Sequence, residues 1–158
     1  MPPLTFGPLA AGAQGRQEVL KTEGPLLDII IHREHNAPLV EGVQLHHETR
    51  ALIDTGASDV CIDYRIAHAL NLREINQTNV TVVGGTVPVS VYLGVLEVPA
   101  LGFKRLMPLY ASKVARINYN ALLGRSFLTD FVVTFDGPNG CFHFYNAGER
   151  YPLPPDDE

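Results

Sequence analysis

The stretch Ala51-Leu52-Ile53-Asp54-Thr55-Gly56-Ala57-Ser58 decides the interpretation of this chain. Its aliphatic residues predict a buried strand, and the Asp-Thr-Gly that follows predicts a tight loop at the end of that strand. A carboxylate is costly to bury there unless it is paired or hydrogen-bonded, so Asp54 is a candidate functional residue. Thr55 offers a hydroxyl that can hold the loop, and Gly56 allows close approach of the backbone. The alternative is an Asx turn that closes a hairpin.

Two later segments add to this pattern. The stretch Ala121-Leu122-Leu123-Gly124-Arg125 is a second apolar run that ends in glycine, and a short helix can begin after it. Between the two runs, Val82-Val83-Gly84-Gly85-Thr86 is flanked by valine-rich strands, which predicts a β-hairpin with a glycine tip. The alternative for this segment is an ordinary surface hairpin.

Taken in order, these three signatures resemble the retropepsin-like aspartic proteases, the single-lobe relatives of pepsin. The resemblance covers roughly residues 28–145. It implies an all-β fold, a closed β-barrel-type acid protease lobe with one or two short helices. It also implies that the glycine-tipped hairpin is a flap that closes over a bound peptide, and that Gly124 and Arg125 support the site from beneath.

Peptide cleavage by carboxylates alone requires two of them, one ionised to activate a water and one protonated to protonate the amide. The chain has one Asp-Thr-Gly and is too short for two pepsin-like lobes. We therefore expect an isologous homodimer in which Asp54 of each copy is catalytic. Thr55 and Gly56 then support the site, and neither a metal nor a cofactor is expected.

The substrate is expected to be an extended peptide or protein segment, because a flap can add main-chain hydrogen bonds of the β-strand type. Subsites built from Ile, Val and Leu favour apolar substrate side chains. The residues assigned to substrate binding follow the catalytic loop or form the tip of the flap: Ala57, Ser58, Val83, Gly84 and Gly85. Asp59 is a loop residue that can touch the substrate.

The six histidines do not predict a metal site. His32 and His35 would share a face only on a helix, whereas Ile29-Ile30-Ile31 predicts a strand there. His46 and His47 point to opposite faces of a strand, and no cysteine or third ligand is spaced to complete a zinc site.

Composition limits the class of protein and its partners. With 158 residues and a formal net charge of −5, the chain is expected to be one domain that binds neither nucleic acid nor anionic membrane. Cys61 and Cys141 are read as two buried thiols in a reducing compartment. No segment has the length of a membrane span, and the N-terminus lacks the order of a signal peptide. The expected location is cytoplasmic.

The chain divides into three predicted parts. Residues 1–24 are rich in Pro, Gly and Ala and are expected to form a flexible or loosely docked arm. Residues 25–146 are the predicted protease domain. Residues 147–158 are proline-rich and then acidic, which predicts a disordered tail.

Within the domain, residues 26–31 predict the first core strand and residues 40–45 a second strand. Asp63 is a predicted N-cap for a helix over residues 64–70 that Asn71 ends. Further strands are predicted from valine-rich or aromatic runs at residues 80–83, 87–91, 131–135 and 141–145.

Two alternatives to an aspartic protease stay open. The first is a non-catalytic dimeric peptide-binding or scaffold module of the same fold, although a binder has no use for an acid pair. The second is a glycosidase, which needs two carboxylates at a defined separation. No other acid has the local context of Asp54. Asp136 also precedes a glycine, but its loop has the composition of an exposed hairpin turn.

Overall fold

The computed structural model describes residues 3–9 and 12–146, so the predicted acidic tail at 147–158 lies outside the described residues. The elements in chain order are β1 (Leu4–Phe6), α1 (Gly12–Glu23), β2 (Leu26–His32), β3 (His46–Ile53), β4 (Cys61–Asp63), α2 (Tyr64–Ala69), β5 (Arg73–Val82), β6 (Gly85–Val98), a 3-10 helix (Pro99–Leu101), β7 (Phe103–Ser112), β8 (Ala121–Leu123), α3 (Arg125–Leu128), β9 (Phe131–Asp136) and β10 (Cys141–Asn146). None of the helices among the described residues is long and apolar enough to cross a membrane.

The larger sheet closes into a barrel. Its strands follow the order β2-β3-β8-β4-β7-β6-β5, and β6 pairs a second time with β2 through Ile30↔Glu97 and His32↔Val95. Six strands therefore form a ring, and β5 extends from it as the hairpin partner of β6. Closure leaves the six strands of the ring without a long open edge. The predicted all-β class with a closed barrel and few short helices is confirmed.

Alternating side chains of β2 fill the barrel. Leu27, Ile29 and Ile31 are buried, while Asp28 between them is exposed. Successive side chains of a strand point to opposite faces, so one face of β2 faces the core and the other faces solvent. The predicted first core strand is thus confirmed.

The second predicted strand, over residues 40–45, is wrong. Val43 N donates to Val40 O at 3.2 Å, which closes a turn, and Gly42 has a φ of +79° within it. Val40 and Leu45 are 46% and 58% exposed. The apolar residues of this segment therefore do not pack against the core, and the next strand, β3, begins only at His46.

The arm predicted over residues 1–24 contains regular structure instead of a flexible segment. β1 pairs with β10, which pairs with β9, to form a separate three-stranded sheet. Phe6 stacks on Phe142 with ring centroids 5.6 Å apart, and Leu20 of α1 is 4% exposed. Short segments with a weak intrinsic propensity for regular structure become stable through such packing. The local sequence does not show these distant contacts.

The predicted helix after Asp63 is confirmed as α2. Asp63 has extended backbone angles, and its carboxylate accepts from Arg65 N at 3.0 Å and from Arg65 Nε at 2.7 Å. The same carboxylate accepts from Ala115 N at 3.0 Å, which ties the loop after β7 to the helix. Asn71 follows the helix with a φ of +47°, a left-handed conformation that asparagine tolerates.

We expect Asp63→Ala to lower the free energy of unfolding by about 1–3 kcal/mol, because it removes the cap and leaves the Ala115 amide without its acceptor. Burial alone would raise the pKa of Asp63, but the hydrogen bonds from Arg65 and Ala115 hold this pKa below its ordinary value of 3.8. A lowered folded-state pKa stabilises the fold above the ordinary value, and this stabilisation is lost as the pH falls through and below it.

Urea unfolding at pH 7 and at several acid pH values measures both effects. Asp63→Asn keeps the shape of the side chain but not the charge, and we expect its stability to fall less steeply at acid pH than that of the wild type. Equal acid sensitivity of the two proteins would show that Asp63 does not supply this pH dependence.

Candidate active site

Asp54 follows β3 at the point where two parallel strands end together. β3 pairs with β8 in the register Ile53↔Leu123, and Asp54 N donates to Leu123 O at 3.0 Å. The Asp54 carboxylate accepts from Gly56 N at 2.9 Å. The Asx turn considered from the sequence is therefore present, but it does not close a hairpin, because the strand partners of β3 are β2 and β8. Asp54 is half-buried and is fixed by main-chain groups on both sides.

The loop after Asp54 is joined to the start of α3 by four hydrogen bonds, one of them from Val60 N to Ser126 Oγ at 3.2 Å. Arg125 N donates to Ala57 O and Ser126 N donates to Ser58 O, each at 2.9 Å. Arg125 Nη1 donates to Thr55 O at 2.8 Å. The Thr55 side chain is exposed. Its main-chain carbonyl holds the loop by accepting from Arg125, whereas the sequence predicts that its hydroxyl does so. Arg125 therefore contacts the Asp54 loop through both its main chain and its side chain, which is consistent with the supporting role that the resemblance implies.

Gly124 allows this close approach of the two loops. Its φ of −85° is open to any residue, so space and not backbone conformation requires glycine here. A Cβ at position 124 would overlap the carbonyl oxygen of Asp59 and lie 2.7 Å from that of Ala57. A side chain at this position would therefore push the Asp54 loop away from β8 and α3.

A cleft of about 780 Å³ lies between the Asp54 loop and the β5–β6 hairpin. One wall is polar and carries Asp54, Ser58 and Asp59. The hairpin contributes five valines, Val80, Val82, Val83, Val87 and Val89, together with Thr78, Asn79 and Thr81, and Leu122 of β8 also lines the cleft. The cleft is therefore bordered by acidic and polar side chains near Asp54 and by valines and polar side chains of the hairpin.

The hairpin has the glycine tip that the sequence predicts. Val82 pairs with Gly85, and Gly84 and Gly85 have φ values of +97° and +142°. Residues that carry a Cβ rarely adopt such φ values, so these two positions require glycine. Val83 is fully exposed at the tip. Among the described strands, β5 alone pairs with the part of β6 that contains Pro88, so the missing amide proton of Pro88 does not interrupt a central ladder.

Besides Asp54, Asp59 and Arg125, two ionisable groups line the floor of the cleft, and neither is ionised near neutral pH. Burial, followed by the charges of Asp59 and Asp54, raises the pKa of the Cys61 thiol to about 11. Burial also raises the pKa of Tyr110, and Asp59 and Cys61 raise it further. Since the thiolate and not the thiol is the nucleophile, Cys61 does not favour cysteine chemistry here. The carboxylates that line the cleft are those of Asp54 and Asp59.

The structure brings together most of the site residues predicted from the sequence. Asp54, Gly56, Ala57, Ser58 and Val83 line the cleft. Thr55, Gly84 and Gly85 lie next to lining residues but do not line the cleft themselves.

Sequence reasoning did not find two residues of the cleft floor, Cys61 and Tyr110. They are neighbours through the parallel register of β4 and β7. This pairing joins distant parts of the chain, so no local sequence pattern predicts it.

A family model described as gag-polyprotein putative aspartyl protease matches residues 42–130, more than half of the chain. Among solved structures, the chain is similar to a retropepsin-like aspartic protease from Rickettsia conorii, with 19% identity, a TM-score of 0.44, and coverage of 76% of this chain and 92% of that chain. It is also similar to a Legionella pneumophila protein of unknown function, with 18% identity, a TM-score of 0.32, and coverage of 52% and 75%. No curated protein matches the sequence.

Proposed function

The chain belongs to the gag-polyprotein putative aspartyl protease family, and we propose that it is an aspartic endopeptidase whose catalytic unit is a homodimer. The position of Asp54 carries this proposal. Its carboxylate stands at the edge of an open cleft and is held by the amide of Gly56, while its own amide is bound to β8. Such fixed geometry is what a reacting carboxylate needs.

The proposed mechanism uses Asp54 from each of two copies. Two carboxyl groups close to one another share a proton, because their mutual repulsion keeps one ionised and the other protonated. The ionised group takes a proton from water as the water oxygen attacks the substrate carbonyl carbon. The protonated group then gives its proton to the amide nitrogen as the carbon–nitrogen bond breaks. The titration belongs to the pair and not to either residue.

Substrate binding is proposed to involve both sides of the cleft. Ala57 and Ser58 follow the catalytic loop and would contact the peptide from one side. The tip of the hairpin, at Val83, Gly84 and Gly85, would hold the peptide backbone from the other side. The five valines of the hairpin that line the cleft support a preference for apolar substrate side chains, because burial against them removes hydrocarbon surface from water.

Two further expectations remain predictions. The net charge of −5 argues against nucleic acid as a partner. A cytoplasmic location is predicted from the absence of a disulfide framework in the sequence, and the free thiols of Cys61 and Cys141 are compatible with it.

Digestion of a peptide library at a series of protein concentrations tests the proposed function. We expect cleavage within extended apolar sequences, with a specific activity that rises with protein concentration as dimers form. Sizing in solution over the same concentrations should show the dimer appearing in parallel. Full activity of a strict monomer would contradict the homodimer, and a dimer that binds peptides without cleaving them would favour the peptide-binding alternative.

A further inference from the structure

A second cluster of chemically reactive side chains lies outside the cleft, in the three-stranded sheet. The cluster consists of Asp136 at the end of β9 and of Cys141 and His143 on β10. Their ligand atoms, one from each side chain, all lie within 4.8 Å of one another. His143 Nε2 is 3.2 Å from Asp136 Oδ2 and 3.8 Å from Cys141 Sγ.

The register of the β9–β10 hairpin explains why these three side chains meet. Cys141 and Asp136 are directly paired across the hairpin, and paired residues of antiparallel strands project to the same face. His143 is two residues beyond Cys141, so it projects to that face as well. The sequence pattern predicts only an exposed hairpin turn at Asp136, because this arrangement depends on the register between the two strands.

Two of the three ligand–ligand distances fit the edges of a tetrahedral zinc site, and the third pair, Cys141 and Asp136, lies within 4.8 Å. From typical zinc–ligand distances, a nitrogen and an oxygen bound to the same tetrahedral ion lie about 3.4 Å apart, and a nitrogen and a sulfur about 3.6 Å apart. The observed separations, 3.2 Å between His143 and Asp136 and 3.8 Å between His143 and Cys141, differ from these values by about the tolerance expected of a metal site.

The outer partners of the cluster are those that a bound metal requires. His143 Nδ1 lies 2.9 Å from Thr5 Oγ1 of β1, so the ring can donate its second proton outward while Nε2 faces the cluster. The Asp136 carboxylate accepts from Asn139 N at 3.1 Å and from Asn139 Nδ2 at 2.9 Å. Arg16 Nε donates to Asn139 O at 2.9 Å and holds this turn from α1. The orientation of two of the three ligands is therefore fixed in advance.

We propose that Asp136, Cys141 and His143 bind one zinc ion, with a water molecule as the fourth ligand. A thiolate and a carboxylate together balance the charge of a divalent cation. A set of one sulfur, one nitrogen and one oxygen suits zinc and does not suit magnesium or calcium, which take oxygen ligands. The side chains of His143 and Asp136 are 19% and 22% exposed, which leaves room for the water.

Binding of the ion displaces the thiol proton of Cys141, which is released to solvent. The ion then joins β9 to β10, and through the bond between His143 and Thr5 it also stabilises β1. The expected effect of the ion is on the stability of the three-stranded sheet, and it is independent of the proposed protease activity.

Titration of the full chain with Co²⁺ and Zn²⁺ tests the proposal, because Co²⁺ in a tetrahedral site with a thiolate has a distinctive visible and near-ultraviolet absorption. We expect one Co²⁺ per chain with a thiolate-to-cobalt charge-transfer band, and displacement of Co²⁺ by Zn²⁺. Saturating Zn²⁺ should also raise the Tm by about 5 °C.

The chain supplies its own matched controls. Cys141→Ser and His143→Gln should each lose the charge-transfer band and the rise in Tm, whereas Cys61→Ser and His35→Gln should retain both. Circular dichroism verifies that each variant is folded, and His143→Gln decides the outcome if Cys141→Ser is not folded. A wild type without the band, a band that persists in His143→Gln, or a band lost in Cys61→Ser would overturn the proposal.

Discussion

Asp54→Asn is expected to abolish peptide cleavage, with a fall in kcat/KM of about 10⁴-fold or more. The asparagine oxygen can still accept from Gly56 N, so the loop keeps its shape and the free energy of unfolding should change little. Asparagine can replace neither the base nor the acid of the pair, because a carboxamide cannot take up or release a proton as a carboxyl group does. Peptide hydrolysis and urea unfolding of the purified variant measure the two quantities. The matched control is Asp28→Asn, an exposed carboxylate on β2 outside the cleft.

Mixing wild type with Asp54→Asn tests whether both copies contribute. If each active unit needs Asp54 from two chains and the chains exchange freely, an equal mixture at fixed total protein should retain about one quarter of the wild-type activity. Independent monomers would retain about half. Turnover by Asp54→Asn close to that of the wild type would remove Asp54 from the mechanism altogether.

The second large effect is expected from Gly124→Ala. The new methyl group would collide with the main-chain oxygen of Asp59 and crowd that of Ala57, and main chain cannot move aside as a flexible side chain can. We expect a loss of about 3 kcal/mol or more in the free energy of unfolding. Activity should fall more than stability alone accounts for, because the displaced loop also carries Asp54.

Gly137→Ala is the matched control for this substitution. A Cβ at position 137 would meet its nearest neighbour, Phe135 Cε1, at 3.7 Å, an ordinary contact. Urea unfolding and peptide cleavage should therefore be close to wild type in this variant. Similar free energies of unfolding for Gly124→Ala and Gly137→Ala would show that the main chain at Asp59 moves away from the new methyl group at little cost.

The sequence predicts those parts of the molecule that depend on local patterns. The apolar run of β2, the cap at Asp63 and the glycine tip of the hairpin each leave a signal within a few residues, and each is present in the structure. The predicted strand at residues 40–45 shows the weakness of the same method. Alternation reports a strand only where one face meets a core, and this segment meets none.

What depends on pairing between distant segments could not be read from the sequence. The order in the arm comes from contacts of Phe6 and Leu20 with the rest of the fold. The floor of the cleft and the Asp136 cluster both arise from strand register, and a shift of one residue would send their side chains to the opposite face. Local composition contains no information about such a shift.

The pairing of β1 with β10 has a consequence for how the protein is made. Thr5 and His143 meet although they are 138 positions apart in the chain. At about 5–20 residues per second, β1 leaves the ribosome roughly ten seconds before β10 exists. During that time Phe6 lacks its packing partners on β10, so the three-stranded sheet is completed last. A nascent chain that stops before β10 therefore exposes an apolar segment that chaperones can recognise.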